Sequence, residues 1–277
     1  MSTTRRNFLT GAAALAAANT ASAATMADHH WGDVRLAVAS YSLREFSRDQ
    51  AIRIIKDLGI QYVNVKSFHM PYYLSKEDLA AARAEFEKAG LEIVSGGNIS
   101  LRKNDEADIK YHLEYAKNAG IPTVVCAPLH TNLGTIEKHA KRLGLKIAIH
   151  NHGPEDEYYP NAHAVMEQVK NMDPLMGICY DVGHASRTGE DIIEGVEMCG
   201  ARLHDMHIKD LTDFSDKRSQ VEVGKGKVPV VKLFQTLQKI RYPGVVGLEY
   251  EINAEAPQQG MAESFAYMRG VLDGLKG

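Results

Sequence analysis

The reading of this chain turns on His150-Asn151-His152-Gly153 and the three tips that follow it. These are Asp181-Val182-Gly183-His184, His207-Ile208-Lys209-Asp210 and Leu248-Glu249-Tyr250-Glu251. Each polar cluster ends a short apolar run, at residues 145–149, 177–180, 203–206 and 245–248. A helix-length segment separates each cluster from the next. Strands that alternate with helices pair in parallel, which gathers their polar ends at one face of the sheet. Two imidazoles and two carboxylates meeting there would make a divalent-metal site, and with it the chemistry of an enzyme.

Working outward, the whole chain divides into eight strand–helix units. Strands are expected over 35–40, 61–67, 91–96, 123–127, 146–151, 177–181, 203–209 and 245–251. Helices are expected over 48–58, 76–88, 106–118, 133–142, 162–171, 190–199, 228–240 and 261–275. Ser47 and Ser75 stand where N-caps belong, and Gly59, Gly90, Gly120 and Gly144 each close a helix. No Pro/Ser-rich linker interrupts the pattern. The expected fold is α/β, a single-domain (β/α)₈ TIM barrel over 35–277.

Strand parity places the polar groups. In 245–251, Val246, Leu248 and Tyr250 share the face that suits the surrounding helices, and Glu249 and Glu251 share the other. Ile147 and Ile149 alternate likewise with His150 and His152, and Asp205, His207 and Lys209 share one parity. The C-terminal ends of barrel strands form the active-site face. His150, Asp181, His207 and Glu249 therefore make one candidate ligand set. Such a mixed N₂O₂ set suits Mn²⁺, Co²⁺, Zn²⁺ or Fe²⁺ better than Mg²⁺ or Ca²⁺. Glu249, His184 and Lys209 are the catalytic candidates: a base, a proton carrier and a cation for an enolate oxygen. For Lys209 the alternative is a salt bridge to Glu251 or Asp181. Lys66, His69, Asn98, His152 and Glu251 are the candidate sugar contacts, with His130 near the fourth tip. Gly224-Lys225-Gly226-Lys227 lacks the full phosphate-loop spacing and reads as the loop ahead of the seventh helix.

Residues 1–23 read as an export signal. Arg5-Arg6-Asn7-Phe8-Leu9 resembles the twin-arginine type, an Ala-rich stretch follows, and Ala21-Ser22-Ala23 fits a peptidase site. Residues 24–34 then form a short mature extension, and the location is periplasmic or otherwise exported. What remains is about 250 residues, one barrel's worth. The formal net charge of −3 becomes more negative once Arg5 and Arg6 are removed. That balance argues against nucleic acid as a partner, and no segment is long and apolar enough to span a membrane. Cys126, Cys179 and Cys199 have no C-x-x-C spacing and read as buried, inert thiols.

Taken together, these motifs resemble the xylose-isomerase-like TIM-barrel superfamily, in particular its sugar phosphate isomerase/epimerase branch. The resemblance runs from Ala39-Ser40-Tyr41-Ser42-Leu43-Arg44 through Tyr180-Asp181-Val182-Gly183-His184 and His207-Ile208-Lys209-Asp210. It continues through Val223-Gly224-Lys225-Gly226 and Tyr242-Pro243-Gly244 to Leu248-Glu249-Tyr250-Glu251. It implies that Asp181, His207 and Glu249 are metal ligands and that His184 contacts substrate. Ketose 3-epimerases of the superfamily carry glutamate where this chain has His150, so their matched pair of bases is broken here. The His/Asp/His/Glu set with a twin-arginine signal is similar to exported members that act on 3-keto sugars and 3-keto glycosides. The resemblance thus implies proton abstraction α to a sugar carbonyl, leaning to β-elimination or hydration, with a small carbohydrate as partner and a homo-oligomer left open. The alternatives are a ketose 3-epimerase or sugar isomerase, a non-catalytic exported sugar-binding barrel, and a phosphodiesterase of the endonuclease IV type. The last needs more histidines and a basic groove.

Overall fold

The computed structural model of the protein describes residues 34–276. The signal segment expected at 1–23, and all but the last residue of the extension, lie outside the described residues. The strands in chain order are β1 (Arg35–Ala39), β2 (Tyr62–Val65), β3 (Glu92–Leu101), β4 (Thr123–Pro128), β5 (Lys146–His150), β6 (Met176–Asp181), β7 (Leu203–Ile208), β8 (Asp210–Leu211), β9 (Gln220–Val221) and β10 (Val245–Leu248). Eight of them close a barrel in the order β1-β10-β7-β6-β5-β4-β3-β2, and β8 and β9 form a separate antiparallel pair. The helices are α1 (Arg48–Asp57), α2 (Lys76–Lys88), α3 (Glu106–Ala119), α4 (Leu133–Leu143), α5 (Ala162–Val169), α6 (Val182–Ser186), α7 (Ile192–Cys199), α8 (Val230–Lys239) and α9 (Gln258–Gly274). The expected single-domain (β/α)₈ barrel is what forms.

Local chemistry sets the helix ends. Ser47 caps α1 in a reciprocal capping box with Gln50, and Ser75 accepts from the Asp78 amide at the start of α2. Gly120 and Gly144 end α3 and α4 in the left-handed conformation that spares the final carbonyls. The main core lies between barrel and helices, where Val63, Ile147, Ile149, Tyr180, Val246 and Leu248 meet Ile55, Phe86, Leu113, Phe234 and Phe265. Inside the barrel, Val125, Ala148 and Cys179 form a small apolar layer. Nearby, Asn64 donates to Ser95 Oγ at 2.8 Å and to Asp205 Oδ2 at 3.1 Å.

Three features depart from the expected elements. The third strand runs on through Gly96-Gly97 to Leu101 rather than ending there. Gly97 has φ +121° and a Cβ on it would run into the Val125 carbonyl, so the strand passes through a bulge there and continues. After β6 the chain turns at once into the short helix α6. After β7 it builds the β8–β9 hairpin. Asp210 holds the loop behind that hairpin, accepting from the amides of Gly224 at 2.9 Å and of Gly226 and Val228 at 3.0 Å. The two glycine amides of the Gly-Lys-Gly-Lys run therefore bind this chain's own carboxylate, and its two lysine amides bind backbone carbonyls.

Candidate metal centre and active site

Four strand ends deliver the ligand set. His150 closes β5, Asp181 closes β6, His207 lies near the end of β7, and Glu249 follows β10 with its amide bonded to the Ile208 carbonyl at 3.1 Å. In the barrel register Asp181 stands beside His207, and His207 beside Gly247. The side chains of His150, Asp181, His207 and Glu249 are all buried, with one ligand atom from each within 4.8 Å of the others. His150 Nε2 lies 3.1 Å from His207 Nδ1 and 3.6 Å from Asp181 Oδ2, and His207 Nδ1 lies 3.5 Å from Glu249 Oε2. Donors about 2.1 Å from one tetrahedral ion stand about 3.4 Å apart, so these separations suit a first-row cation. Asp181 Oδ2 accepts no hydrogen bond despite full burial. Its neighbours are ion-pair contacts, Lys209 Nζ at 3.2 Å and His150 Nε2 at 3.6 Å, so it keeps lone-pair capacity that a divalent ion would take up.

The electrostatics also fit. Burial alone would push the Asp181 carboxyl up, but Lys209, His184 and His150 outweigh it and hold Asp181 well below the usual range. Burial likewise opposes ionisation of Glu249, and Lys209, Lys66 and His207 reverse the sign. Desolvation pushes His150 down to about 4 and His184 to about 2, which keeps both imidazoles neutral with lone pairs available. Lys209 is the hub. Its Nζ lies 2.9 Å from Glu249, 2.5 Å from Glu251 and 3.2 Å from Asp181, and this carboxylate cage overcomes burial to hold it well above the usual lysine range.

Above the ligands lies a pocket of about 350 Å³ lined by Lys66, Asn98, His150, His152, Glu249 and Glu251, with Tyr41, Ser67 and Phe68 at its side. Lys66 Nζ binds Glu249 Oε1 at 3.1 Å. Asn98 reaches the pocket because the Gly97 bulge turns the strand there. His152 is exposed, its ring 4.6 Å from that of His184 and 5.5 Å from that of His150. His184 lies to one side, within 4.0 Å of Asp181 and lining a smaller neighbouring pocket. His69 belongs to the framework instead. Its two ring nitrogens bond Ser40 Oγ at 3.0 Å and the Leu43 carbonyl at 3.1 Å, which leaves no ring nitrogen for a sugar. His130 packs on Tyr158 and Tyr159 and is not among the residues lining the pocket.

Three contributors were not singled out by sequence. The Asn151 amide clamps the Asp181 backbone, accepting from its N–H at 2.8 Å and donating to its carbonyl at 3.0 Å. Arg187 approaches His184 Nδ1 at 3.4 Å while paired with Glu155. Tyr41 sits under the Arg44 guanidinium. The position of Asn151 between two histidines was the signal available for the first; the other two depend on chain packing.

The comparisons agree with this fold. An uncharacterised protein of Methanocaldococcus jannaschii is 26% identical over 130 residues, spanning 43% of this chain and 41% of that relative. The chain thus matches about two fifths of the length of that curated relative. A solved protein of Parabacteroides distasonis is similar at 26% identity and TM-score 0.67, covering 86% of this chain and 99% of its own. The IolI protein, solved with a bound zinc atom, is similar at 18% identity and TM-score 0.73, covering 87% and 99%. The same fold occurs in an L-ribulose 3-epimerase (13% identity, TM-score 0.72, covering 88% and 96%). It also occurs in a protein of Bacillus anthracis described as a probable 3-DHS dehydratase (12% identity, TM-score 0.71, covering 85% and 98%). A family model described as the xylose isomerase-like TIM barrel matches residues 52–271. With that match over most of its length, the chain belongs to the xylose isomerase-like TIM barrel family.

Proposed function

We propose that this chain is a divalent-metal-dependent carbohydrate enzyme that removes a proton α to a sugar carbonyl, and that its reaction is β-elimination or hydration of a 3-keto sugar or 3-keto glycoside. The observation that carries the reading is the ligand set itself, in which an imidazole, His150, takes the strand-five position. A divalent ion held by His150, Asp181, His207 and Glu249, with Mn²⁺, Co²⁺ or Zn²⁺ the best fits and Fe²⁺ or Mg²⁺ next, would polarise the sugar carbonyl.

The surrounding residues support a one-sided proton transfer. Glu249 faces the pocket as a carboxylate, with Lys66 on one oxygen and Lys209 on the other. Substrate entry that draws Lys66 or Lys209 onto the sugar's oxygen would free Glu249 to take the α-proton. His152 is the exposed imidazole on the same pocket. It suits proton delivery to a leaving oxygen better than His184, which burial holds neutral beside Asp181. A 3-epimerase needs a matched base on the opposite face, and His150, as a buried ligand, is a poor one. The dehydratase and the epimerase among the structural neighbours each act, by name, in one of the two ways considered.

We also propose export by the twin-arginine route, supported by Arg5-Arg6 and Ala21-Ser22-Ala23.

The deciding experiment incubates the protein and Mn²⁺, Co²⁺ or Zn²⁺ with 3-keto glycosides and with free ketoses in D₂O, followed by NMR. Aglycone release or hydration with α-deuterium exchange is expected. Ketose epimerisation without release would replace elimination with epimerisation. Binding without any exchange would leave a sugar-binding barrel.

A further inference from the structure

Cys179 is not used by the site described above, yet it lies against it. It sits on β6 two residues before Asp181, on the same inward face, and so about 6–7 Å deeper along the barrel. Its register partner on β5 is His150. Its sulfur and one nitrogen each of His150 and His207 lie within 4.8 Å of one another, and all three residues are buried. The facing nitrogens of the two imidazoles, His150 Nε2 and His207 Nδ1, are 3.1 Å apart, so one ion can reach both from the Cys179 side as well as from the carboxylate side. An N₂S group of this kind has the donor chemistry of a thiophilic-metal site, whereas the carboxylates of Asp181 and Glu249 give the upper position its harder character.

We infer that the barrel holds a second, deeper cation position formed by His150, Cys179 and His207, open to thiophilic ions such as Zn²⁺ and Co²⁺, which also fit the upper set, and closed to Mn²⁺. The inference rests on the metal reading above, because the two positions share both imidazoles and are therefore alternatives for one ion. Mn²⁺ stays with the carboxylates. In the deeper position His150, Cys179 and His207 would hold Zn²⁺ or Co²⁺ in place of the Asp181 and Glu249 carboxylates, with a metal–sulfur bond formed and the thiol proton lost to solvent.

Cobalt separates the two claims. The whole chain loaded with Co²⁺ is expected to show visible ligand-field bands, reporting the shared histidines, and a near-ultraviolet thiolate-to-cobalt charge-transfer band. Cys179→Ala and Cys179→Ser should lose the charge-transfer band and keep the ligand-field bands. X-ray absorption of the Zn²⁺-loaded wild type should contain a sulfur neighbour at about 2.3 Å, a reading that stands even if neither variant folds. Ligand-field bands in the wild type with no charge transfer and no sulfur neighbour would overturn the deeper site and leave the upper one intact. No cobalt absorption at all would overturn both.

Discussion

Lys209→Met should destabilise the metal-free protein far more than the metal-loaded one. The ammonium lies within 3.2 Å of Asp181, Glu249 and Glu251. At an effective dielectric of about 20, a unit pair at ~3 Å is worth about 5 kcal/mol gross, most of it offset by desolvation. Removing one partner of a buried pair leaves the other uncompensated, which costs about 3–5 kcal/mol. Protonation limits the loss, since raising one carboxylate from a pKa of about 4 to neutrality costs about 4 kcal/mol at 1.36 kcal/mol per unit. For a domain of this size that corresponds to a fall in Tm of roughly 6–20 °C. The deficit should be greatest at neutral pH and shrink as pH falls toward about 4, because protonation removes the repulsion. The assay is thermal unfolding by circular dichroism, after chelation and again with saturating Mn²⁺. A divalent ion replaces the lost positive charge, so Mn²⁺ should recover most of the difference. A chelated variant that melts within about 2 °C of wild type at pH 7 would refute the reasoning.

Three further outcomes are expected. His207→Ala should lose bound metal by elemental analysis while retaining its barrel circular dichroism, because strand-tip residues serve the site more than the core. The metal-free protein should lose stability on acidification from about pH 6.5 toward 4, read as a falling urea midpoint. His69, His150, His184 and His204 are all held below their unfolded value, chiefly by desolvation, so the unfolded chain binds more protons there. A midpoint that rises between pH 7 and 5 contradicts that assignment. Replacing Arg5 and Arg6 together by lysine should trap precursor in the cytoplasm; undiminished export of mature protein removes the twin-arginine reading.

Much of the site could be read from residue order because barrel geometry converts alternation into direction. The parity that put Ile147 and Ile149 outward also put His150 inward, and the same holds for Leu248 against Glu249. Once eight strands close in parallel, such residues have nowhere to point but the barrel mouth. His69 shows the limit of that logic. Its place just beyond a strand tip suggested a substrate contact, yet Ser40 and Leu43, far away in sequence, take both nitrogens. The third strand, expected to end at Gly96, shows a similar limit. A turn and a bulge ask for the same residues, and only the neighbouring strand, through the Val125 carbonyl, selects the bulge.

By itself the sequence determined the period: eight apolar runs at helix-length intervals, their parity, and four ligand types at strand ends. These are local properties, set by how side chains alternate along a strand and by which residues start and stop a helix. Tertiary structure alone decided which charges meet. That Lys209 bridges three carboxylates, that Asn151 clamps Asp181 and that Cys179 lies against His150 and His207 all depend on through-space distances of a few ångströms. Those distances join residues up to 42 positions apart, and they are fixed only when the sheet closes, its register is set and the interior excludes water.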